Sequence, residues 1–151
     1  MNILVDADAC PVKEIIVSSA KKYNIPVFMF VDTSHRFSDD YSTVITVDKG
    51  ADSVDFAIVN RITDGDICIT QDYGLASMVL AKNAYAVHQN GFMYDSANID
   101  RMLFERHIGK EMRRAGKRGG KFKPRTREDN EKFESFFTAL LARLFPQPPH
   151  A

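Results

Sequence analysis

No run of about eighteen apolar residues occurs in the chain, so nothing in it reads as a membrane span. No basic-then-apolar leader precedes the first aliphatic residues, and a cytoplasmic protein is the expectation. There are only two cysteines, Cys10 and Cys68, and they form no metal-binding or redox spacing. Cys68 lies between Ile67 and Ile69 and reads as a small core residue, while Cys10 has no base beside it in sequence and reads as structural. Net charge is also missing, since 20 Lys and Arg face 20 Asp and Glu. That balance hides an asymmetry. Between Arg101 and Arg127 the bases are Arg101, Arg106, Lys110, Arg113, Arg114, Lys117, Arg118, Lys121, Lys123, Arg125 and Arg127. Glu105 and Glu111 oppose them, and the acids concentrate before residue 101. An acidic site beside a basic arm suits a polyanionic substrate handled with a metal. A solvated basic helix face is the plainer reading, but the excess of bases favours binding.

What is present is an alternation of strands and helices in 151 residues, a length expected to form one domain. Asn2 to Asp6 opens with buried-strand aliphatics, and Pro11 to Tyr23 follows as a helix with Val12, Ile15, Ile16, Ser19 and Ala20 on one face. Val27 to Val31 and Val44 to Val47 read as further strands, joined by a polar loop over residues 32–42 that holds His35. A helix is expected from Asp52 to Ile62, a strand from Asp66 to Thr70, a helix to about Lys82, and a fifth strand over Ala84 to His88. This pattern predicts an α/β fold with a mostly parallel sheet and right-handed crossovers. Beyond Asn90-Gly91, Ala97 to Ala115 reads as a helix with Ile99, Leu103, Phe104, Ile108 and Met112 available for packing. Gly116 to Pro124 is glycine-rich and basic, and Pro146 to Ala151 is expected to fray. Between them Thr126 opens a last helix, with Asp129 as capping-box partner. Its stripe of Phe133, Phe136, Phe137, Leu140, Leu141 and Leu144 must be buried on the sheet or on another subunit, which leaves a homo-oligomer open.

Acids fall near strand ends or helix starts in three places: Asp6 with Asp8, Asp52 with Asp55, and Asp72. In open α/β sheets, ligands bind beyond the carboxyl ends of the strands. Carboxylates that converge there invite a hard cation, because an unneutralised cluster repels itself. Each acid also has a structural reading. Asp52 and Asp55 have capping-box spacing, and Asp72 and Asp8 each stand where they can cap the next helix. Asp6 is hardest to explain structurally, because a carboxylate closing a buried strand gains little.

The segments Asp6-Ala7-Asp8-Ala9-Cys10-Pro11-Val12-Lys13, Gly50-Ala51-Asp52-Ser53-Val54-Asp55 and Thr70-Gln71-Asp72-Tyr73-Gly74-Leu75-Ala76 together resemble the bacterial YaiI/YqxD family. The likeness covers nearly the whole chain, and that family in turn resembles the PIN-like nucleases, including their NYN branch. The resemblance implies a three-layer α/β/α fold around a five-stranded sheet ordered 3-2-1-4-5. The basic C-terminal helices, residues 97–145, are then an extension packed on that domain. It also implies acidic residues that bind Mg²⁺ or Mn²⁺ and a metal-activated water that cleaves RNA, with DNA as the alternative. By this likeness Asp6 matches the first-strand acid, Asp55 the helix acid and Asp72 the acid of the T-x-D segment, with Asp8 as an additional ligand. No fourth acid follows Asp72 at the expected place, since Asp95 is distant and on another element. Arg113, Arg114, Lys117, Arg118, Lys121 and Lys123 are the expected phosphate contacts. Two other readings compete. One is a haloacid-dehalogenase-like phosphatase with Asp6 as nucleophile, against which the continuation Ala9-Cys10 and the lack of a following lysine and paired-acid motif count. The other is an RNA-binding module without turnover.

Overall fold

The computed structural model describes residues 1–116 and 123–146. The elements in chain order are β1 (Ile3–Asp6), α1 (Lys13–Lys22), β2 (Val27–Asp32), β3 (Thr43–Val47), α2 (Ser53–Arg61), β4 (Ile67–Ile69), α3 (Tyr73–Ala81), β5 (Tyr85–His88), β6 (Phe92–Met93), α4 (Ser96–Arg114) and α5 (Arg127–Leu144). The strands form one sheet in the order β3-β2-β1-β4-β5-β6. The first five are parallel, in the expected order, and β6 pairs antiparallel with β5.

The sixth strand corrects the five-strand expectation. Phe92–Met93 is too short to show a period-2 pattern, and it forms because Gly91 turns the chain back at φ +87°. The chain runs from β1 outward to β3, then crosses over β1 to β4 and on to β6. The switch point therefore lies between β1 and β4.

Strand alternation divides the core into two layers. Ile3, Val5, Val27, Met29, Val31, Ile67 and Ile69 face α1 and α5, where they meet Ile16, Ala20, Phe133, Phe137 and Leu141. Leu4, Phe30, Cys68 and Ala86 face the other way, toward Ile58 of α2, Leu75 and Val79 of α3, and Ile99 of α4. The result is an α/β/α sandwich. The stripe on α5 is covered by this chain's own sheet and α1, with Phe133, Phe137, Leu140 and Leu141 buried and Phe136 and Leu144 partly so.

Helix α4 departs from expectation. Ile99 is its one buried residue, and Leu103, Phe104, Ile108 and Met112 are exposed. At 1.5 Å per residue a helix of this length runs nearly 30 Å, whereas four-residue β5 spans about 13 Å. Ile99 and the partly buried Met102 reach the core, so only the first two turns of α4 pack on it.

The parallel pair β2 and β3 is joined without a helix. The loop over 33–42 makes the crossover, with Phe37 and Tyr41 packing on the α1 side and the Tyr41 hydroxyl donating to the Ile25 carbonyl. Helix α5 is pinned at its start. The Arg125 guanidinium donates to Gln89 O, Asn90 Oδ1 and Asn130 Oδ1 at 2.6–2.8 Å, which makes this basic residue a clamp on the β5–β6 turn. Thr126 and Asp129 form the expected capping box. No helix among the described residues is long and apolar enough to cross a membrane.

Gly91 tests how tightly the hairpin meets α5. A Cβ there would lie 2.9 Å from the Lys132 carbonyl oxygen, whereas Gly65, also at positive φ, has open space around it. Gly91→Ala should cost about 2–3 kcal/mol and Gly65→Ala about 1 kcal/mol. Urea unfolding of both variants reads the difference, and equal losses would show that the backbone approach is unimportant.

Candidate metal centre at the end of the sheet

Asp6 ends β1 with the parity of Leu4, so its side chain falls on the α2–α3 side of the sheet. Thr70 follows β4, the neighbour of β1, and its hydroxyl donates to Asp6 Oδ2 at 2.9 Å. The same Thr70 oxygen accepts from the Asp72 amide at 3.0 Å, fixing the turn that presents Asp72. Beneath them the Tyr94 hydroxyl donates to the Thr70 carbonyl at 3.1 Å, and burial pushes its acidity far out of the physiological range. Tyr94 therefore stays a donor.

Asp72 caps α3. Its Oδ1 accepts from the Gly74 and Leu75 amides at 2.8 and 3.3 Å. Its Oδ2 accepts no hydrogen bond among the described residues. Gly74 keeps this cap tight, since a Cβ there would lie 3.0 Å from Asp72 Oδ1.

Asp52 and Asp55 do not form the capping box their spacing allows. Asp52 sits at the N-cap of α2 in left-handed conformation, φ 62°, with no side-chain cap bond. A working cap has extended backbone so that its oxygen can reach back to the first turn. Asp55 is thereby left without a capping role, on the first turn of α2, facing the same site.

The electrostatics tie these acids together. Burial, then repulsion from Asp72, Asp6 and Asp52, pushes the Asp55 carboxyl up to about 6. Asp6 is raised chiefly by burial, against the pull of the Thr70 hydrogen bond, and further by Asp72 and Asp8. No Lys, Arg or His nitrogen among the described residues lies within 4 Å of the Asp6, Asp55 or Asp72 carboxylates. Three acids that sense one another without a cation have the donor chemistry of a hard-metal site.

Asp8 is turned elsewhere. Its Oδ2 accepts from the Asp32 amide at 3.1 Å, and its Oδ1 lies 3.2 Å from His35 Nδ1. That Oδ1 is buried and accepts no hydrogen bond among the described residues. Asp8, Asp32 and His35 each place a ligand atom within 4.8 Å of the others, which no other trio of His, Cys, Asp or Glu does among the described residues. Asp6, Asp55 and Asp72 stand further apart than this. The Ser34 hydroxyl and His35 hold the Asp32 carboxyl down to about 2. Asp32 and His35 are not legible in the sequence as partners of Asp8. The one available signal is an acid ending the strand expected beside β1.

The remaining expected residues fall apart from this cluster. Cys10 and Cys68 are both buried, and burial pushes both thiols up, so neither is a poised nucleophile. Asp95 caps α4 in a capping box with Asn98. Arg113 and Arg114 lie exposed on the last turn of α4, and Lys123 is exposed. Lys117, Arg118 and Lys121 lie outside the described residues.

The shifted carboxyls make stability depend on pH. A carboxyl whose pKa is raised by folding favours the folded state when protonated, so stability falls as pH rises from about 4 to about 6. In chelator, Asp55→Asn should therefore be more stable than the parent at pH 7 and indistinguishable from it near pH 4. Urea unfolding at both values checks this, and a pH-independent effect would refute repulsion as its cause.

Comparison with known proteins fits this architecture to a family. The model of the uncharacterised YaiI/YqxD family matches residues 4–143. A UPF0178 protein of Ruminiclostridium cellulolyticum is 57% identical over 147 residues, covering 97% of this chain and 94% of its own. A UPF0178 protein of Alkaliphilus oremlandii is 54% identical over 141 residues, covering 93% of this chain and 91% of its own. One from Exiguobacterium sibiricum is 47% identical over 141 residues, covering 93% and 96%. No solved structure matches the chain significantly. With a match from the first strand into the last turn of the last helix, the chain belongs to the YaiI/YqxD family.

Proposed function

We propose that this protein is a divalent-metal-dependent nuclease that hydrolyses phosphodiester bonds of RNA. The observation that carries the reading is the placement of Asp6, Asp55 and Asp72, from three separate elements, around the switch point of the sheet, with no cationic side chain within 4 Å of them among the described residues. Ligands of open α/β sheets bind at such a point. The donors are all carboxylate oxygens, which suit Mg²⁺ or Mn²⁺, and their wide spacing suits a cation that keeps several of its waters.

Bound there, Mg²⁺ or Mn²⁺ supplies a water of lowered pKa and offsets charge on a phosphoryl oxygen. The chain's own groups prepare the site. Thr70 fixes Asp6 through Oδ2 and leaves Oδ1 for the cation. The Gly74 and Leu75 amides fix Asp72 through Oδ1 and leave Oδ2. Burial and the neighbouring acids raise the Asp55 carboxyl to about 6, and a bound cation would favour its ionised form, so affinity should rise with pH through that range. Asp8, in the turn that follows β1, adds negative charge beside Asp6.

Asp6→Asn separates a ligand from a structural role. The parent should gain about 2.7 kcal/mol of stability at a hundredfold excess of Mn²⁺ over its Kd. The variant should lose most of that gain and most Mn²⁺-dependent cleavage of a labelled RNA, while folding normally in chelator. Thermal unfolding with and without Mn²⁺, beside the cleavage assay, reads both. Equal Mn²⁺ stabilisation of the two proteins would remove Asp6 from the site.

A further inference from the structure

The basic side chains of α4 are not spread evenly. Arg106, His107, Lys110, Arg113 and Arg114, with Leu103, line one shallow, open groove formed between side chains of α4 alone. Arg101 and Arg114 pair with Glu105 and Glu111 of the same helix. Arg106, Lys110 and Arg113 have no carboxylate within 4 Å among the described residues. They recur at i, i+4 and i+7, so they form one row about 10 Å long.

The row begins at Tyr73, the first residue of α3. Arg106 Nη1 donates to the Tyr73 hydroxyl at 2.8 Å, and its guanidinium lies 5.8 Å from the centre of the Tyr73 ring. Tyr73 directly follows Asp72 in the chain. A charge-rich track therefore starts one residue from a candidate metal ligand and runs outward along a helix that the core does not cover.

We propose that the α4 groove is a binding track for a single polynucleotide strand, which it leads to the acidic site past Tyr73. The inference rests on the nuclease reading for its direction, and its ligand is a phosphodiester polyanion. Three charges in one line follow one backbone, whereas a duplex presents two. Tyr73 is a positioning residue, since its hydroxyl holds Arg106 at the entrance. Leu103 gives the groove an apolar rung against which a base can lie.

The test uses the full-length chain and a labelled single-stranded oligoribonucleotide of mixed sequence, with the DNA of the same sequence and the matching RNA duplex as comparison arms. The triple variant Arg106→Ala, Lys110→Ala, Arg113→Ala should bind at least tenfold more weakly at moderate salt. Its plot of log affinity against log salt should be shallower by about 2, because each phosphate of a single strand that is no longer neutralised takes roughly 0.7 from the slope. Its stabilisation by Mn²⁺ alone should be unchanged, which shows that the acidic site and the fold survive. Tyr73→Phe keeps the ring and the charges, so it should weaken binding a few-fold with an unchanged salt slope. Equal binding of RNA and DNA strands assigns recognition to the backbone, and preference for RNA adds a sugar contact; both uphold the track. Parent-like affinity and slope in the triple variant, or tighter binding of the duplex, would overturn it. Strand binding through these residues without any metal-dependent cleavage would instead overturn the nuclease reading and leave the track standing.

Discussion

A half-buried carboxylate closing a buried strand is costly, and Asp6 has one hydrogen-bond donor among the described residues to offset that cost. The arrangement around it follows from this constraint. The donor must come from the adjacent strand, so Thr70 has to follow β4 with its side chain on the α2–α3 side. Its hydroxyl gives its one proton to Asp6 and its lone pair to the Asp72 amide, so one group fixes two acids from distant parts of the chain. Tyr94 then holds the Thr70 backbone from below. Asp66 shows the contrasting, structural solution. It is fully buried, and it accepts from the Asn2 amide, the Thr63 amide and the Thr63 hydroxyl, and so it staples one end of the sheet with both oxygens engaged. The acids at the opposite end are left under-satisfied, which is what a binding site requires and a staple does not.

The same end of the sheet carries two environments. Asp6, Asp55 and Asp72 lie toward α2 and α3, while Asp8, Asp32 and His35 gather at the tips of β1 and β2. The turn between β1 and α1 makes the division. Ala9 adopts a left-handed conformation at φ 61°, and the Cys10 amide bonds back to the Ala7 carbonyl. The chain therefore reverses within four residues, and Asp8 turns toward the neighbouring strand. Lys13 braces this turn by donating to the Ala7 and Cys10 carbonyls.

Much of this is legible in residue patterns, because the strands are continuous aliphatic runs and the helices carry apolar stripes. The parallel order follows from strands separated by helices and from the family likeness, and it brings β1 beside β4. Asp72 is legible twice, as a cap and as a site acid, and its two oxygens make the roles compatible. What escapes depends on backbone conformation or tertiary neighbours. Asp52 and Asp55 have capping spacing, but a left-handed Asp52 cannot cap. The alternating surface of α4 has the spacing for packing, yet packing also needs a sheet long enough to lie under it. The partnership of Asp8 with Asp32 and His35 exists only once β2 is set beside β1.

The loop that replaces a helix between β2 and β3 leaves the sheet with an uneven border. At one side β6 is two residues long and offers little to pair with. At the other, Thr43-Val44-Ile45-Thr46-Val47 is an edge strand of β-branched residues without charge or proline. Its outward row of amides and carbonyls is a template for another extended chain, and its composition favours such pairing. The flanks oppose this. Asp39 and Asp40 precede the strand, and Asp48 and Lys49 follow it, so a second copy laid alongside in register would bring like charges together at both ends.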